Sequence, residues 1–412
     1  MKKLLVALLA ASTLLFVSCG DEKKTDEVKD VKSFEFTFDQ DFVITDEGNV
    51  PFNSKSAKQT VYDMRLGWNL GNTLDAINGN GLSSETSWGQ PETEEIMIEE
   101  LANSKIKTIR IPVSWSKHLM DDYTIDPLWM LRVKEIVDWA ISNDMYVILN
   151  THHDNWESYS PISKRGYYYP SEENYEKSVH FLTNVWGQIA LAFNNGYDEH
   201  LIFETLNEPR PCGTSVEWVY DPNSPISKEA AECINKFNQL VVDIIRASGG
   251  NNKERFIMVP GIAASPNAAF ADTFRMPEDE QPDHLILAVH MYSPYVFAMQ
   301  SPGTTKWNDR LQSEVAGTFK KLNETFIEKG YPVVIGEFGA VNKNNPEDRL
   351  GWAHAFIKYS RKYGMTSCLW DNGQAWPNGT DYNERFGYYD RETQEWFFPD
   401  LIQAMVEEAY AE

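Results

Sequence analysis

Cysteine is scarce, with four in 412 residues, at positions 19, 212, 233 and 368. Once Cys19 is assigned to the leader described below, three remain at wide spacing. An odd, scattered set is no disulfide framework, and only a Cys212–Cys233 bridge stays open, because spacing does not fix geometry. Basic charge is short too: 37 Lys and Arg stand against 61 Asp and Glu, a formal net charge of −24. A surface so acidic repels nucleic acid and anionic membrane and suits a neutral substrate. No G-x-G-x-x-G follows a strand and no G-x-x-x-x-G-K-S loop occurs, so the usual nucleotide sites are missing. H-E-x-x-H and C-x-x-C are absent, which removes the common zinc frameworks. Internal repeats, coiled-coil heptads and a separate carbohydrate-binding module are not apparent either.

What is present begins with aromatics, 13% of the chain, including 13 Trp and 19 Tyr, within a hydrophobic share of 42%. That is enough for a sizeable core, and most of these rings belong to packing; the remainder are candidates for stacking on a ligand. The first twenty residues, MKKLLVALLAASTLLFVSCG, read as a targeting segment. Lys2 and Lys3 form a basic start, and the apolar stretch Leu4–Ser18 is too short for a comfortable membrane span. Ser18-Cys19-Gly20 closes it, and the whole resembles a bacterial lipoprotein signal with Cys19 cleaved and lipidated; a plain secretory peptide is the alternative. Residues 1–18 are thus expected as signal peptide, residues 19–60 as the lipidated cysteine and a tether, and residues 61–412 as the folded domain. Loss of two Lys and no acid with residues 1–18 makes the charge −26. GDEKKTDEVKDVK (20–32) reads as a solvated spacer, and the alternation in SFEFTFDQDFVIT predicts a short strand against the domain.

From about Val61 the pattern is strand, then helix, repeated. RLGWNL (65–70), IKTIRIPV (106–113), MYVILN (145–150), LIFETL (201–206), RFIMVP (255–260), HLILAVH (284–290), YPVVIGEF (331–338) and MTSCLW (365–370) are eight apolar runs of strand length. Helical patterns separate most of them. Asp126-Pro127 opens one as cap and first turn, with Val133, Ile136, Val137, Ala140 and Ile141 at helical spacing. Ser171 is placed as the cap of a helix through Phe181, Trp186 and Ile189. Ser227 is placed as the cap of another, closed by Gly249-Gly250. Eight strands alternating with helices predict an α/β fold, a closed (β/α)8 TIM barrel forming a single catalytic domain; an open doubly wound sheet is the second choice.

Such a barrel carries its chemistry where the strands end. Those ends hold Asn69 and Asn72, Arg110, His152-His153-Asp154, Asn207-Glu208, His290-Met291-Tyr292, Glu337 and Trp370-Asp371-Asn372, while the fifth strand ends at Pro260-Gly261 with nothing ionisable. A lone Arg or His at a strand end is ordinarily structural. Two carboxylates, His, Arg, Tyr and Trp converging on one rim are not, since buried charge is costly unless used or paired. Paired carboxylates point to glycoside hydrolysis, one protonated for the leaving group and one anionic for the anomeric carbon. Arg110 beside one Glu would keep it anionic. Tyr292 could hold the nucleophile, Asn207 the sugar hydroxyl where charge develops, and Trp370 offers a flat face to a pyranose. Metal is the rival use of the histidines. Neighbouring residues of a strand point to opposite sides, so His152 and His153 are expected not to share an ion, and neither metal nor cofactor is expected.

In order, TIRIPVSW, VILNTHHD, FETLNEPR, VHMYSPY, VVIGEFGA and CLWDNG resemble glycoside hydrolase family 5, of the large cellulase clan of barrels. GWNLGNTLDA, ETSWG, YDEHLIFE and ERFGYYDR further resemble its subfamily 4, mainly endo-β-1,4-glucanases on cellulose, mixed-linkage glucan and xyloglucan. The likeness spans about residues 61 to 410. It implies Glu208 as acid/base and Glu337 as nucleophile with retention, supported by Arg110 and Tyr292, with His152, Asn207, His290 and Trp370 completing the inner set. Leu369 departs from the second Trp of many relatives and implies altered packing. Asn72, His153, Trp88 and Trp376 are expected at the substrate; Trp115, Trp156 and RGYYYP (165–170) are further platform candidates, and Arg210 is expected to pair with rim acids. The implied enzyme acts on β-glucan as a monomer held to the outer membrane through Cys19. A β-mannanase of the same fold and a non-catalytic glycan-binding lipoprotein are the alternatives.

Overall fold

Each of the eight apolar runs forms one parallel strand, in the expected order: β1 (Leu66–Asn69), β2 (Thr108–Ile111), β3 (Tyr146–Asn150), β4 (Leu201–Glu204), β5 (Ile257–Pro260), β6 (Leu285–His290), β7 (Val333–Phe338) and β8 (Thr366–Leu369). Every neighbouring pair is parallel, and β8 pairs back to β1, so the sheet closes into a barrel. The open sheet is thereby excluded. The computed structural model describes residue 34 and residues 41–53, 55–155, 166–379 and 381–411. The leader, Cys19, the 20–32 tether and Trp156 lie outside the described residues. So does most of SFEFTFDQDFVIT; apart from Phe34, its described part is residues 41–45, a turn and an extended stretch rather than a strand.

The helices are α1 (Ala57–Asp63), α2 (Glu95–Asn103), α3 (Pro127–Ser142), α4 (Tyr175–Ala192), α5 (Pro225–Ala247), α6 (Pro266–Ala269), α7 (Tyr295–Ala298), α8 (Asp309–Thr325), α9 (Pro346–Lys362) and α10 (Pro399–Tyr410). Asp126 caps α3, accepting from the Leu128 amide, with Pro127 in the first turn. Two expected caps move. α4 begins at Tyr175, not after Ser171, whose hydroxyl instead closes a turn onto the Asn174 amide. α5 begins at Pro225, because Ser224 caps it one residue ahead of a proline suited to the first turn; Ser227 is buried inside. Its end falls as expected, with Gly249 and Gly250 both in the left-handed region. Cys212, Cys233 and Cys368 are all free, so the Cys212–Cys233 bridge does not form. No helix among the described residues is long and apolar enough to cross a membrane.

Alternation along the strands builds two cores. Outward-facing Ile109, Val147, Leu149, Phe203 and Val259 pack under the helices, while Ile148, Ile202, Met258, Ile286, Ala288, Val334 and Cys368 fill the barrel with Ala57 and Val61 of α1 and Met64, the residue that caps its end. α1 thus plugs the end where the strands begin. Its Val61 and Met64 carbonyls accept from the Thr366 and Thr108 hydroxyls, which satisfies helix-end groups that burial would leave orphaned. The segment before α1 lies along the same end: the Asp46 amide bonds the Leu191 carbonyl, and its carboxylate takes the Asn194 and Gly196 amides of the α4–β4 turn.

Candidate active site

Two residues further along the same inward faces, apolar gives way to polar. Asn69 of β1 pairs in register with Arg110 of β2, and Asn150 of β3 with Glu204 of β4. Ile148 and Ile202 sit just beneath Asn150 and Glu204, and period-two alternation keeps each polar residue on the inner face. His290 of β6 pairs with Glu337 of β7 through a bulge: Ile335 opposes Val289, then Glu337 opposes His290, and Gly336 is the extra residue. Without the bulge, alternation from Val334 would point Glu337 outward. A glycine is required there, because a Cβ would come within 3.0 Å of His290 Nε2 and 3.3 Å of Glu204 Oε1. Gly71 answers a similar demand at the rim, where a Cβ would meet the Asp371 carbonyl at 2.7 Å and the Trp370 ring at 2.9 Å.

Arg110 is wholly buried and spends its N–H groups on four side chains. Nε donates to Glu204 Oε2 (2.8 Å), Nη1 to Asn69 Oδ1 (2.9 Å) and Glu337 Oε1 (2.9 Å), and Nη2 to Asn207 Oδ1 (2.7 Å). Burial opposes its charge, but Glu204 and Glu337 hold its pKa above the ordinary value. Tyr292 Oη donates to Glu337 Oε2 at 2.8 Å. The nucleophile candidate therefore has a cation on one oxygen and a hydroxyl on the other.

Glu208 has a different setting. Burial raises its pKa, with Arg210 and Arg110 opposing. Its Oε1 is 2.8 Å from His290 Nδ1. His290 Nε2 lies 3.4 Å from Arg110 Nη2; guanidinium only donates, so Nε2 is the acceptor and the ring proton sits on Nδ1, aimed at Glu208. Burial lowers the His290 pKa to about 4, against Glu337 and with Arg110, which keeps that ring neutral. Arg210 Nη1 bonds the Glu208 carbonyl at 2.9 Å and reaches 3.8 Å from its Oε2, while Nε pairs with Glu217. Asn207 spends its oxygen on Arg110. One oxygen each of Glu208 and Glu337 lies within 4.8 Å of the other, the separation of a retaining pair.

The remaining expected residues fall in two groups. His152 is buried at the base, beside Asn150 Nδ2, its ring parallel to Trp370 at 5.9 Å. His153 packs edge-on to it at 4.4 Å and against Trp88 at 5.5 Å. Trp376 is 60% exposed on the loop after β8, its ring against Phe397 and Phe398. Asn72 adopts φ 55° in the loop after β1. Trp115 proves to be a brace, fully buried with Nε1 on the Asn150 carbonyl.

The alternation argument against a shared ion fails on geometry. β3 ends at Asn150, so His152 and His153 follow loop conformation and, with Asp75, bring donor atoms within 4.8 Å of one another. A different fact weighs against a cation: Arg110 and Arg210 already press on both rings, and with burial leading they push the pKa of each down. Sequence reasoning missed Glu204, Asn150, Asp75 and Glu384. Glu204 carried a visible signal, a lone acid inside the apolar run LIFETL. Asp75 is fully buried with its pKa raised to about 7 by burial against nearby amides, and burial raises Glu384, with Arg385 opposing and Glu208 adding.

The model of the family Cellulase (glycosyl hydrolase family 5) matches residues 71–375. Endoglucanase 1 of Ruminococcus albus is 41% identical over 405 residues, covering 98% of this chain and 90% of that protein. Among solved structures, the complex of a mutant glycoside hydrolase 5 lichenase from Caldicellulosiruptor sp. F32 with cellotetraose is similar at TM-score 0.80 and 39% identity, over 88% of this chain and 98% of that one. A GH5-4 broad specificity endoglucanase from Ruminococcus champanellensis with bound cellotriose gives TM-score 0.78 and 37% identity, over 87% and 100%.

Proposed function

The chain belongs to glycosyl hydrolase family 5 and is a glycoside hydrolase of the cellulase kind, and from that premise we propose that it cuts internal β-1,4 bonds of β-glucan by double displacement, in the manner of subfamily 4. The observation that carries this reading is the pair Glu208 and Glu337, oxygens within 4.8 Å, with Arg110 and Tyr292 on Glu337 and His290 on Glu208. Glu208 donates its proton to the glycosidic oxygen as Glu337 attacks the anomeric carbon; the leaving chain departs and a glycosyl ester remains on Glu337. His290 Nδ1–H occupies Glu208 Oε1, so the transferred proton resides on Oε2. Glu208 then takes a proton from water as its oxygen attacks the same carbon, and Glu337 is released with configuration retained. Asn207 Nδ2 and Trp370 fit a sugar hydroxyl and a ring face.

Cellulose, mixed-linkage glucan and xyloglucan are the substrates this reading takes, supported by relatives named lichenase and broad specificity endoglucanase. The same relatives do not favour a β-mannanase, and an intact carboxylate pair does not favour a binding protein. Glu337→Gln should lose roughly four or more orders of magnitude of reducing-sugar release from soluble β-glucan while remaining folded. Glu208→Ala should lose polysaccharide cleavage yet keep attack on a glycoside with an activated leaving group, with azide restoring turnover. Undiminished glucan cleavage by Glu337→Gln overturns the assignment.

The leader supports a lipid on Cys19 and an envelope location. Since residues 46–50 run along the end of the barrel opposite the carboxylates, an anchored chain would present its catalytic mouth away from the membrane. Fatty-acid labelling abolished by Cys19→Ser is the expected result; equal labelling of both proteins would remove the anchor.

A further inference from the structure

Glu204 lies one layer below the carboxylate pair and has no part in the two displacements as written. It is wholly buried. Its Oε2 takes Arg110 Nε and Nη2 and Asn150 Nδ2, each at 2.8 Å, while its Oε1 accepts no hydrogen bond from any described residue. A buried carboxylate with one oxygen unsatisfied is a poor way to stabilise a barrel, so the arrangement asks for another use.

The reaction supplies one. At rest, Arg110 faces two carboxylates, Glu204 and Glu337. When Glu337 becomes an ester its negative charge is consumed, and Arg110 loses one of its two counter-charges while remaining fully buried. Its other close partners cannot replace that charge. Asn69 and Asn207 are amides. Burial keeps His152 and His290 below their ordinary pKa, hence neutral, and pushes the Cys368 thiol up to about 12. Among the described residues, Glu204 and Glu337 are the only carboxylates bonded to Arg110.

We propose that Glu204 is a positioning residue that serves as the standing counter-ion of Arg110, keeping the guanidinium paired and in plane while Glu337 carries the sugar. This rests on the double-displacement reading. Without Glu204 the covalent intermediate would form beside an uncompensated buried cation, whereas its breakdown would restore a carboxylate to that cation. Loss of Glu204 therefore slows the first step selectively.

The test is stopped-flow hydrolysis of dinitrophenyl β-cellobioside by the full chain, which separates formation from breakdown of the glycosyl-enzyme, with a fluorinated cellobioside to trap the adduct and time its reactivation. In Glu204→Gln, of the same shape but uncharged, the glycosylation rate constant should fall roughly 10- to 100-fold. Reactivation of the trapped adduct should be no slower than in the unsubstituted protein. Glu204→Asp, which keeps the charge, should retain more of the glycosylation rate than Glu204→Gln. Both steps slowing by the same factor, neither changing, or Asp behaving as Gln does would overturn the proposal. If Glu204→Gln does not fold, Glu204→Ala, which also removes the charge, is read in the same two steps: slower glycosylation with unslowed reactivation upholds the counter-ion, and equal slowing or no change in the two steps refutes it. Absence of a covalent adduct on Glu337 in the unsubstituted protein would instead defeat the displacement reading itself.

Discussion

Arg110 shows how much one residue can organise: a single planar guanidinium holds the nucleophile candidate, the Asn207 amide oxygen, and two interior side chains. Its importance was readable, because an Arg inside an apolar strand has to be paired. Its partners were only half readable. Glu337 and Asn207 come from motifs, but Glu204 looked like part of a strand. His118 is a second residue whose setting the sequence hid. It is buried, its ring stacked on Trp129 at 3.6 Å and 6°, and neither ring nitrogen has a hydrogen-bond partner among the described residues. Burial, with Lys117 adding, lowers its pKa from 6.5 to about 3. Above pH 6.5 the imidazole is neutral folded or unfolded. Below it the unfolded chain takes a proton that the folded chain refuses until about pH 3, so stability is lost as pH falls through that window. His118→Phe keeps the stack and drops the titration. The slope of unfolding free energy against pH between those limits should shrink by up to about 1.4 kcal/mol per pH unit, by denaturant titration. An unchanged slope would mean that His118 is protonated in the fold.

Elements were read best where periodicity was long and worst where one residue changes a local rule. All eight strands stand within a few residues of their apolar runs. The shifted start of α5 reflects two candidate serines, of which Ser224 takes the cap, while α4 starts late because Ser171 closes a turn onto Asn174 ahead of it. The β7 bulge is more consequential: it turns Glu337 into the barrel, and no two-residue pattern in VVIGEF announces it beyond the glycine. α1 was not anticipated. Met64, which caps its C-terminal end, is fully buried among the barrel's inner side chains at the far end from the carboxylates. Met64→Ala should cost about 2–5 kcal/mol of stability, lowering the thermal midpoint. kcat/KM on soluble glucan should stay within about twofold at temperatures where the variant is folded. A large loss of kcat/KM in a folded variant would show that the plug and the site are coupled.

At the scale of the molecule, the two ends of the barrel divide the work. The end where the strands begin is sealed by α1 and by the segment around Asp46, which bonds the turn between α4 and β4. The end where they finish gathers Arg110, Glu204, Glu208 and Glu337. The sequence by itself determined the (β/α)8 alternation and the family motifs in their order, and it singled out Glu208 and Glu337 as the candidate pair, because burial writes itself as periodicity and chemistry writes itself as residue type. It could not determine which way Glu337 points, that Glu204 shares Arg110, that His152 and His153 turn to the same side, or that Trp115 is a brace. Those depend on bulges, loop conformation and contacts between residues up to 227 positions apart, and only closure of the barrel brings such groups within hydrogen-bonding distance.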